Sequence, residues 1–464
     1  MDPNAEDVFD SVMWETPSNA PYDETFVEPE AGLPGPGYKQ STGDGDGAPG
    51  EPKWEGYLLI QVKDPVKELE GTKDNYISYL VVGQTNLRVF ASPTPSARRR
   101  YKDFVFLREN LAKDFPACVV PPLPDKHRLE YITGDRFSAE FLERRRSDLQ
   151  RFLERVAQHP TLQRSTLVRA FLESTEWNVQ MHQHLAHPPG PEPASSILDN
   201  ISDTLLNAFS RVRKPDERFL EMRDGVDKFE EGLNGIERIS TRLRARTNDL
   251  TSDYHDLAVA VQGLGFLETG ITEPLGQFSN TLLEFSTLLK HNNTANIEPY
   301  LTHIHSLISY SHAHRAVLRL RDQKQLDLEE LSDYLAGVSL ERDRLAAIVS
   351  GHAGSASGLG IGAYLRDKVD QLRGADDDRS RVEKMRKLDL KIKELQDAVT
   401  TAHDTSDAFS SETLKEQAIF QLAKEGEMKE LLGNLADGHI EMYRQAMEEW
   451  DRVIPVIQRI RVDV

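Results

Sequence analysis

The chain has 464 residues and a mass of 52.5 kDa, too much for one compact core, so two or three domains are predicted. Its 76 acidic residues outnumber 56 basic ones, and the net charge of −20 argues against non-specific affinity for nucleic acid. A single cysteine, Cys118, excludes an internal disulfide framework, and no apolar run approaches the roughly 18 to 20 residues of a membrane span.

Residues 1–52 carry 12 acids, one base (Lys39) and eight prolines, with little periodic apolar content. Such a stretch buries too little surface to offset its ordering entropy and is predicted to be a disordered acidic tail. It serves either as a solvating tail or as a screen competing with an anionic ligand. Acids stand near the N-terminus (Asp2, Glu6, Asp7) where a secretory leader needs bases and then apolar residues. A soluble intracellular protein with peripheral membrane contact follows. Residues 53–176 reverse the sign, with 21 bases against 17 acids. A mildly basic block within an acidic chain asks for an anionic ligand.

That block reads as a small α+β domain over 53–177. Two strands are predicted around Trp54–Val62 and Tyr76–Val82, rich in β-branched and aromatic residues and separated by a polar break. From Asp103 the period turns helical through Phe104, Leu107 and Leu111, until Pro121, Pro122 and Pro124 interrupt it. Helices over about 137–157 and 162–174 complete the domain.

Residues 178–194, with repeated His, Pro and Gly, read as a linker. Ile197, Ile201, Leu205, Phe209 and Val212 then recur at helical spacing, followed by Arg213 and Lys214, which predicts an amphipathic helix over 195–214. Its apolar face either enters a membrane interface or packs as a core stripe. From 215 to 464 apolar stripes at three- and four-residue spacing continue, broken by glycine-rich stretches at 262–276 and 351–377. Three helices of roughly 45 to 70 residues, about 70 to 100 Å long, form an all-α antiparallel coiled coil. Phe285, Leu288 and Leu289 are predicted on an exposed flank that invites a second copy.

Enzymatic readings find little support. There is no G-x-x-x-x-G-K-[ST] loop, and the Gly358, Gly360, Gly362 run follows no strand. His303, His305, His312 and His314 share one helix, but neither cysteine nor paired carboxylate completes a metal shell in the sequence. No metal, cofactor or catalytic residue is predicted.

The basic runs are more informative. Arg98, Arg99, Arg100, Tyr101 and Lys102 sit where sheet gives way to helix, and Arg144, Arg145 and Arg146 lie in the helix after the proline loop. Guanidinium groups chelate phosphate oxygens and a ring supplies a floor, so a phosphorylated polyol fits, with Lys126 for a second phosphate. Val119, Val120 and Leu123 are predicted to dip from the proline loop into a bilayer, each worth at most about 1.5 to 3 kcal/mol. A core packing role, or a minimal PxxP ligand, is the other reading of that loop. A third basic group, Arg366, Lys368, Arg381, Lys384, Arg386 and Lys387, follows or lies in the 351–377 loop region. These residues either touch anionic headgroups at a tip, about 1 kcal/mol each, or flank the coiled coil with Asp389 and Glu394.

The segments from Arg99 to Phe104, Pro121 to Lys126 and Phe141 to Leu149, in this order, resemble a PX (phox-homology) domain. Followed by about 260 helical residues, this is similar to the sorting nexins with a BAR domain, the fungal autophagy-related type, over 54–464. The resemblance implies an α+β PX domain, with a small antiparallel sheet plus helices, and a three-helix BAR domain. It implies recognition of phosphatidylinositol 3-phosphate, with Arg100 on the 3-phosphate, Tyr101 under the inositol and Lys126 on the 1-phosphate. Arg145 matches the arginine for the 4- and 5-hydroxyls, an assignment that rests on aligning Phe141 and Leu149 and could shift to Arg144 or Arg146. The family implies cargo sorting, recycling from early endosomes, autophagy and a heterodimer with a related nexin. A PX-targeted coiled-coil scaffold without membrane remodelling is the alternative; a PX-bearing phospholipase is disfavoured by the lack of an H-x-K-x-x-x-x-D run.

Overall fold

In the computed structural model, the residues described are 56–69, 75–124, 138–186, 213, 215–268, 270–349 and 376–460. Leu58, Ile60 and Val62 turn one way along strand β1 (Leu58–Glu68) while the residues between them face solvent, the two-residue period of a half-buried strand. β1 pairs antiparallel with β2 (Tyr76–Thr85), which pairs antiparallel with β3 (Ser96–Arg100). The register shifts between Lys63 and Val66, where Asp64 takes a positive φ of 48°, so the outer half of β1 departs from simple alternation. β1 and β2 both run beyond the predicted strands, and β3 adds a third.

Helix α1 (Tyr101–Asp114) starts directly at the end of β3. The Arg100 N–H donates to Asp103 Oδ2 at 2.8 Å, capping one of the orphan donors of the first turn. α2 (Ala139–Gln158) is capped by the Ser138 hydroxyl and crosses the sheet, and Gln150 bonds both Val62 N–H and the Ile60 carbonyl. A short 3₁₀ turn (Leu162–Arg164), α3 (Thr166–Glu173) and α4 (Trp177–Ala186) close the domain. Phe104, Leu107, Leu149, Phe152, Phe171 and Trp177 lie in one core with the inward residues of the sheet. The predicted linker at 178–194 thus begins as helix: α4 carries the chain to Ala186, anchored by buried Trp177.

Three long helical stretches follow. α5 (Glu217–Leu267) leads into α6 (Thr272–Asn292), which continues through a π turn (Asn293–Ile297) into α7 (Glu298–Val349); α8 (Asp376–Ile457) completes the body. α8 alone has 82 residues, longer than predicted. The Asn296 side chain of the π turn packs against Gly438, where a Cβ would stand 2.4 Å from Asn296 Cγ, so any larger residue must displace that side chain. Leu233, Ile304, Leu307 and Leu431 form one layer of the helical core, and Leu331, Val338 and Leu395 another.

The flank predicted to be exposed is not. Phe285 packs between Tyr254 and Trp450, with ring centroids 4.8 and 6.4 Å away, Leu288 is half-buried and Leu289 buried. The exposed apolar residues lie instead on α5, at Ile239, Leu243, Leu250, Leu257 and Leu264, and on α8, at Ile440, Tyr443, Met447 and Ile454. The antiparallel partners of α6 take up its own apolar face, leaving one face of α5 and of α8 uncovered.

Candidate functional site

The three arginines at the end of β3 go three ways because a strand alternates faces and then ends. Arg99 is buried against α3 and α4, where it donates to the carbonyls of Phe171 and Ser174 at 2.9 and 2.6 Å and lies over the Phe171 and Trp177 rings. Burial lowers its pKa to about 10, partly offset by Asp103. Its work is structural: it caps the end of α3. Arg98 bonds the Asp64 carbonyl and the Ser78 hydroxyl across the sheet. Arg100 keeps 41 % of its side chain exposed, steadied by Asp103 at 3.4 Å and lying 5.8 Å from the Tyr76 ring centroid. Arg98 stays exposed while it makes its bonds, and Arg100 is half-buried, its guanidinium beside Asp103 and the Tyr76 ring.

On α2, consecutive residues are rotated by about 100°, and again three arginines diverge. Arg144 reaches Glu298 of α7 at 3.1 Å; Arg146 pairs with Glu143 and donates to the Val62 carbonyl at 2.8 Å. Arg145 stands over both the Tyr101 and Phe141 rings, 4.5 Å from each centroid. Of the three, Arg145 is thus the one beside Tyr101. Behind them the Tyr79 hydroxyl is pushed up to about 12 by burial, against the opposing charge of Arg145. The Tyr101 hydroxyl donates to the Pro124 carbonyl at 3.2 Å, tying the ring to the end of the proline loop. The Arg145 guanidinium and the Tyr101 ring therefore meet where α2 faces the start of α1, and Arg100, the last residue of β3, directly precedes Tyr101 in the chain. Lys126 lies outside the described residues.

A polar cleft of about 380 Å³ elsewhere, between α2 and the helical body, includes Arg151, Arg155, Asn296, His303 and Glu427 but none of the three site residues.

The proline loop corrects an expectation. Val119 and Val120 are 1 % and 4 % exposed, not presented to a bilayer. Val119 packs into a cluster with Tyr310, Val317, Phe409 and Phe420 of the helical body, and Val120 joins the core of the α+β domain. Leu123 is half-buried against that same core. Apolar side chains beside a second domain are covered by it, the core reading that the sequence left open.

The other predicted membrane residues divide similarly. Ile197, Ile201, Leu205, Phe209, Arg366 and Lys368 lie outside the described residues. Lys384 pairs with Glu341 at 2.8 Å and Lys387 with Glu383 at 3.1 Å, while Arg381 is half-buried and Arg386 exposed. The histidines of α7 are not brought together. His303 bonds Glu427, His305 bonds Glu237, His312 pairs with Glu230, and His314 is buried beside Phe420.

Sequence reasoning missed the seam between the two domains. Arg155 makes two 2.7 Å bonds to Glu427, one from Nε and one from Nη2; His159 bonds Glu416 at 3.0 Å, and the Val119 N–H donates to Glu416 at 2.8 Å. Burial opposes ionisation of Glu427, yet the charge and bonds of Arg155, with His303, hold its carboxyl down at about 2. The partners are 257 to 297 residues apart, so no local pattern announces them.

Residues 87–175 match the PX domain family. A curated sorting nexin-4 from Cryptococcus neoformans is 60 % identical over 412 residues, covering 89 % of this chain and 83 % of the relative. The chain belongs to the sorting nexin-4 family. Sorting nexin-4 of Gibberella zeae is 40 % identical, over 87 % of this chain and 86 % of its own. That of Neurospora crassa is 36 % identical over 98 % of both. Among solved structures, the SNX-BAR protein Mvp1, determined as a tetramer by cryo-EM, matches 85 % of this sorting nexin and 99 % of its own chain, with a TM-score of 0.55 at 17 % identity. That likeness establishes the fold: a PX domain with a three-stranded antiparallel sheet followed by a BAR-type helical body. Sorting nexins are non-enzymatic, peripheral membrane proteins of endosomal compartments. Among the described residues of this one, no helix is long and apolar enough to cross a membrane.

Proposed function

We propose that this chain binds phosphatidylinositol 3-phosphate through Arg100, Tyr101, Arg145 and Lys126, and that it senses or shapes curved membrane as a dimer. The observation that carries the reading is the Tyr101 ring covered by Arg145 at 4.5 Å, with the partly exposed side chain of Arg100 on the preceding residue. Arg100 takes the 3-phosphate by charge-assisted bonds, and Arg145 reaches the hydroxyls of an inositol lying on the ring. The work served is endosomal recycling, protein transport and autophagy, at early endosomes and the site of autophagosome assembly.

The partner is a second BAR chain, a related sorting nexin forming a heterodimer, with cargo proteins bound to the assembly. Leu243, Leu250, Leu257 and Leu264 support this: they recur every seven residues and are all exposed, the pattern of a helical seam awaiting another helix. Two lipid pockets on one dimer gain avidity without new contacts.

Flotation with liposomes of about 100 nm, with and without phosphatidylinositol 3-phosphate, tests the pocket. Lipid-dependent flotation that Arg100→Ala loses is the expected result; equal flotation of both proteins defeats it. The scaffold reading, lipid addressing without remodelling, draws on the pairing of Lys384 and Lys387 with acids. Retained flotation without tubulation would favour it.

A further inference from the structure

Glu416 stands on α8 with 1 % of its surface exposed. A carboxylate so buried is costly unless its oxygens are satisfied, and two donors from the PX domain converge on it. The Val119 N–H donates to Oε2 at 2.8 Å. His159 Nε2 lies 3.0 Å from both oxygens. The Cys118 thiol lies within 4.8 Å of the carboxylate, and burial together with the Glu416 charge pushes that thiol's ionisation up.

The ligand atoms of Cys118, His159 and Glu416 lie within 4.8 Å of one another, a spacing a metal ion could use. The histidine argues otherwise. Its Nδ1 accepts the N–H groups of Thr161 and Leu162, each at 3.2 Å, so the ring proton sits on Nε2 and points at Glu416. A metal on Nε2 would move that proton to Nδ1, against two N–H donors. The cluster is a hydrogen-bond hub.

What the hub holds is the root of the proline loop. Val119 precedes Val120 and Pro121, and three prolines restrict the backbone as far as Pro124. The Pro124 carbonyl accepts the Tyr101 hydroxyl, and Arg145 covers the Tyr101 ring. A short, stiff path therefore runs from a helical-body carboxylate to the floor of the lipid pocket.

We propose that Glu416 is a positioning residue for membrane recognition: it holds the proline loop from the helical body and so fixes the direction in which the lipid pocket faces. The inference rests on reading that pocket as a phosphatidylinositol 3-phosphate site. With the direction fixed, lipid bound in the pocket brings the helical body to the same membrane at high effective concentration.

The full chain, wild type and with Glu416→Ala or Glu416→Gln, is compared by three measurements. These are amide hydrogen exchange at Val119 without lipid, affinity for soluble short-chain phosphatidylinositol 3-phosphate, and affinity for phosphatidylcholine vesicles carrying the same lipid. In Glu416→Ala, Val119 exchange is expected to rise about tenfold or more, and vesicle affinity to fall about tenfold, with short-chain affinity unchanged. Glu416→Gln keeps an acceptor for Val119 and gives smaller changes in the same direction; it carries the test if the alanine variant does not fold. Unchanged Val119 exchange would overturn the inference. So would equal loss of both lipid affinities, which would make Glu416 a support of the PX fold alone, or stoichiometric zinc in the purified wild type. If wild type binds neither lipid form, the pocket reading fails, and Val119 exchange alone judges whether Glu416 holds the loop.

Discussion

Arg155 of the PX domain and Glu427 of the helical body meet in a forked pair, two 2.7 Å bonds joining residues 272 positions apart. The guanidinium also bonds the Ser306 hydroxyl at 2.9 Å and lies 4.7 Å from the Tyr310 ring centroid. Side chains from α2, α7 and α8 thus enclose one charge pair.

Breaking this pair on one side leaves a buried charge without its counter-ion. Glu427→Gln is expected to destabilise the chain by about 3 kcal/mol, read as a fall in the denaturation midpoint. A matched apolar pair, Arg155→Met with Glu427→Leu, should recover much of the loss because no charge is left behind. If the double variant is no better than the single one, desolvated charge is not the cause.

Acid should act at the same place. The folded carboxyl of Glu427 is held at about 2, below the ordinary value of 4.5, so the folded state favours its charged form. That contribution is complete above the ordinary value and disappears as pH falls from about 4.5 toward 2. Denaturation midpoints across this range should decline less steeply in Glu427→Gln than in wild type.

His314 gives a separate window. It is 0 % exposed, and among the described residues neither ring nitrogen has a hydrogen-bond partner. Burial lowers its pKa from 6.5 to about 4, with Glu416 pulling it up and Lys424 pushing it down. The unfolded chain therefore binds the extra proton first, and stability falls as pH drops from about 6.5 to 4. The slope from this one group is at most about 1.4 kcal/mol per pH unit. His314→Leu should be neutral or stabilising at pH 7 and should flatten that slope; an unaltered slope would assign it elsewhere.

Tyr101 separates floor from tether. Tyr101→Phe removes the bond to the Pro124 carbonyl while keeping the ring under Arg145, a loss of about 0.5 to 1.5 kcal/mol in loop stability with lipid affinity largely kept. Tyr101→Ala removes both, and vesicle binding should fall by about tenfold or more. Equal lipid affinities for the two variants would show that the ring is no floor.

The seam on α5 is tested by charge. Leu250→Glu with Leu257→Glu places two carboxylates on the exposed stripe, and loss of about 1.5 kcal/mol or more per leucine weakens association at least about 100-fold. Sedimentation should then find monomers at concentrations where wild type, or its mixture with the partner nexin, is dimeric. Unchanged mass would place the interface elsewhere.

Much of the architecture was legible because its signals are local. β-Branched and aromatic runs marked β1 and β2, the prolines after Leu111 marked the proline loop, and three-four spacing marked the long helices. The site was partly legible for the same reason: Arg100 and Tyr101 are neighbours in sequence, and the capping bond from Asp103 lies three residues away. Arg145 was harder. Its neighbours Arg144 and Arg146 carry the same chemistry, and only the rotation of α2 against α1 and the sheet separates their partners. Val119 and Val120 were misread because an apolar loop looks the same in sequence whether a bilayer or a second domain covers it.

The sequence by itself determined the two-part plan, the acidic and basic blocks and where the arginine runs fall in the chain. Those properties depend on composition and short-range periodicity. Tertiary structure decided which arginine stands over Tyr101, what covers Val119, and which apolar stripe on the helices stays open. Each of these is an outcome of competition for burial between segments far apart in the chain. The convergence of Cys118, Val119 and His159 on Glu416 is one such outcome, because no sequence spacing constrains residues that meet only when two domains dock.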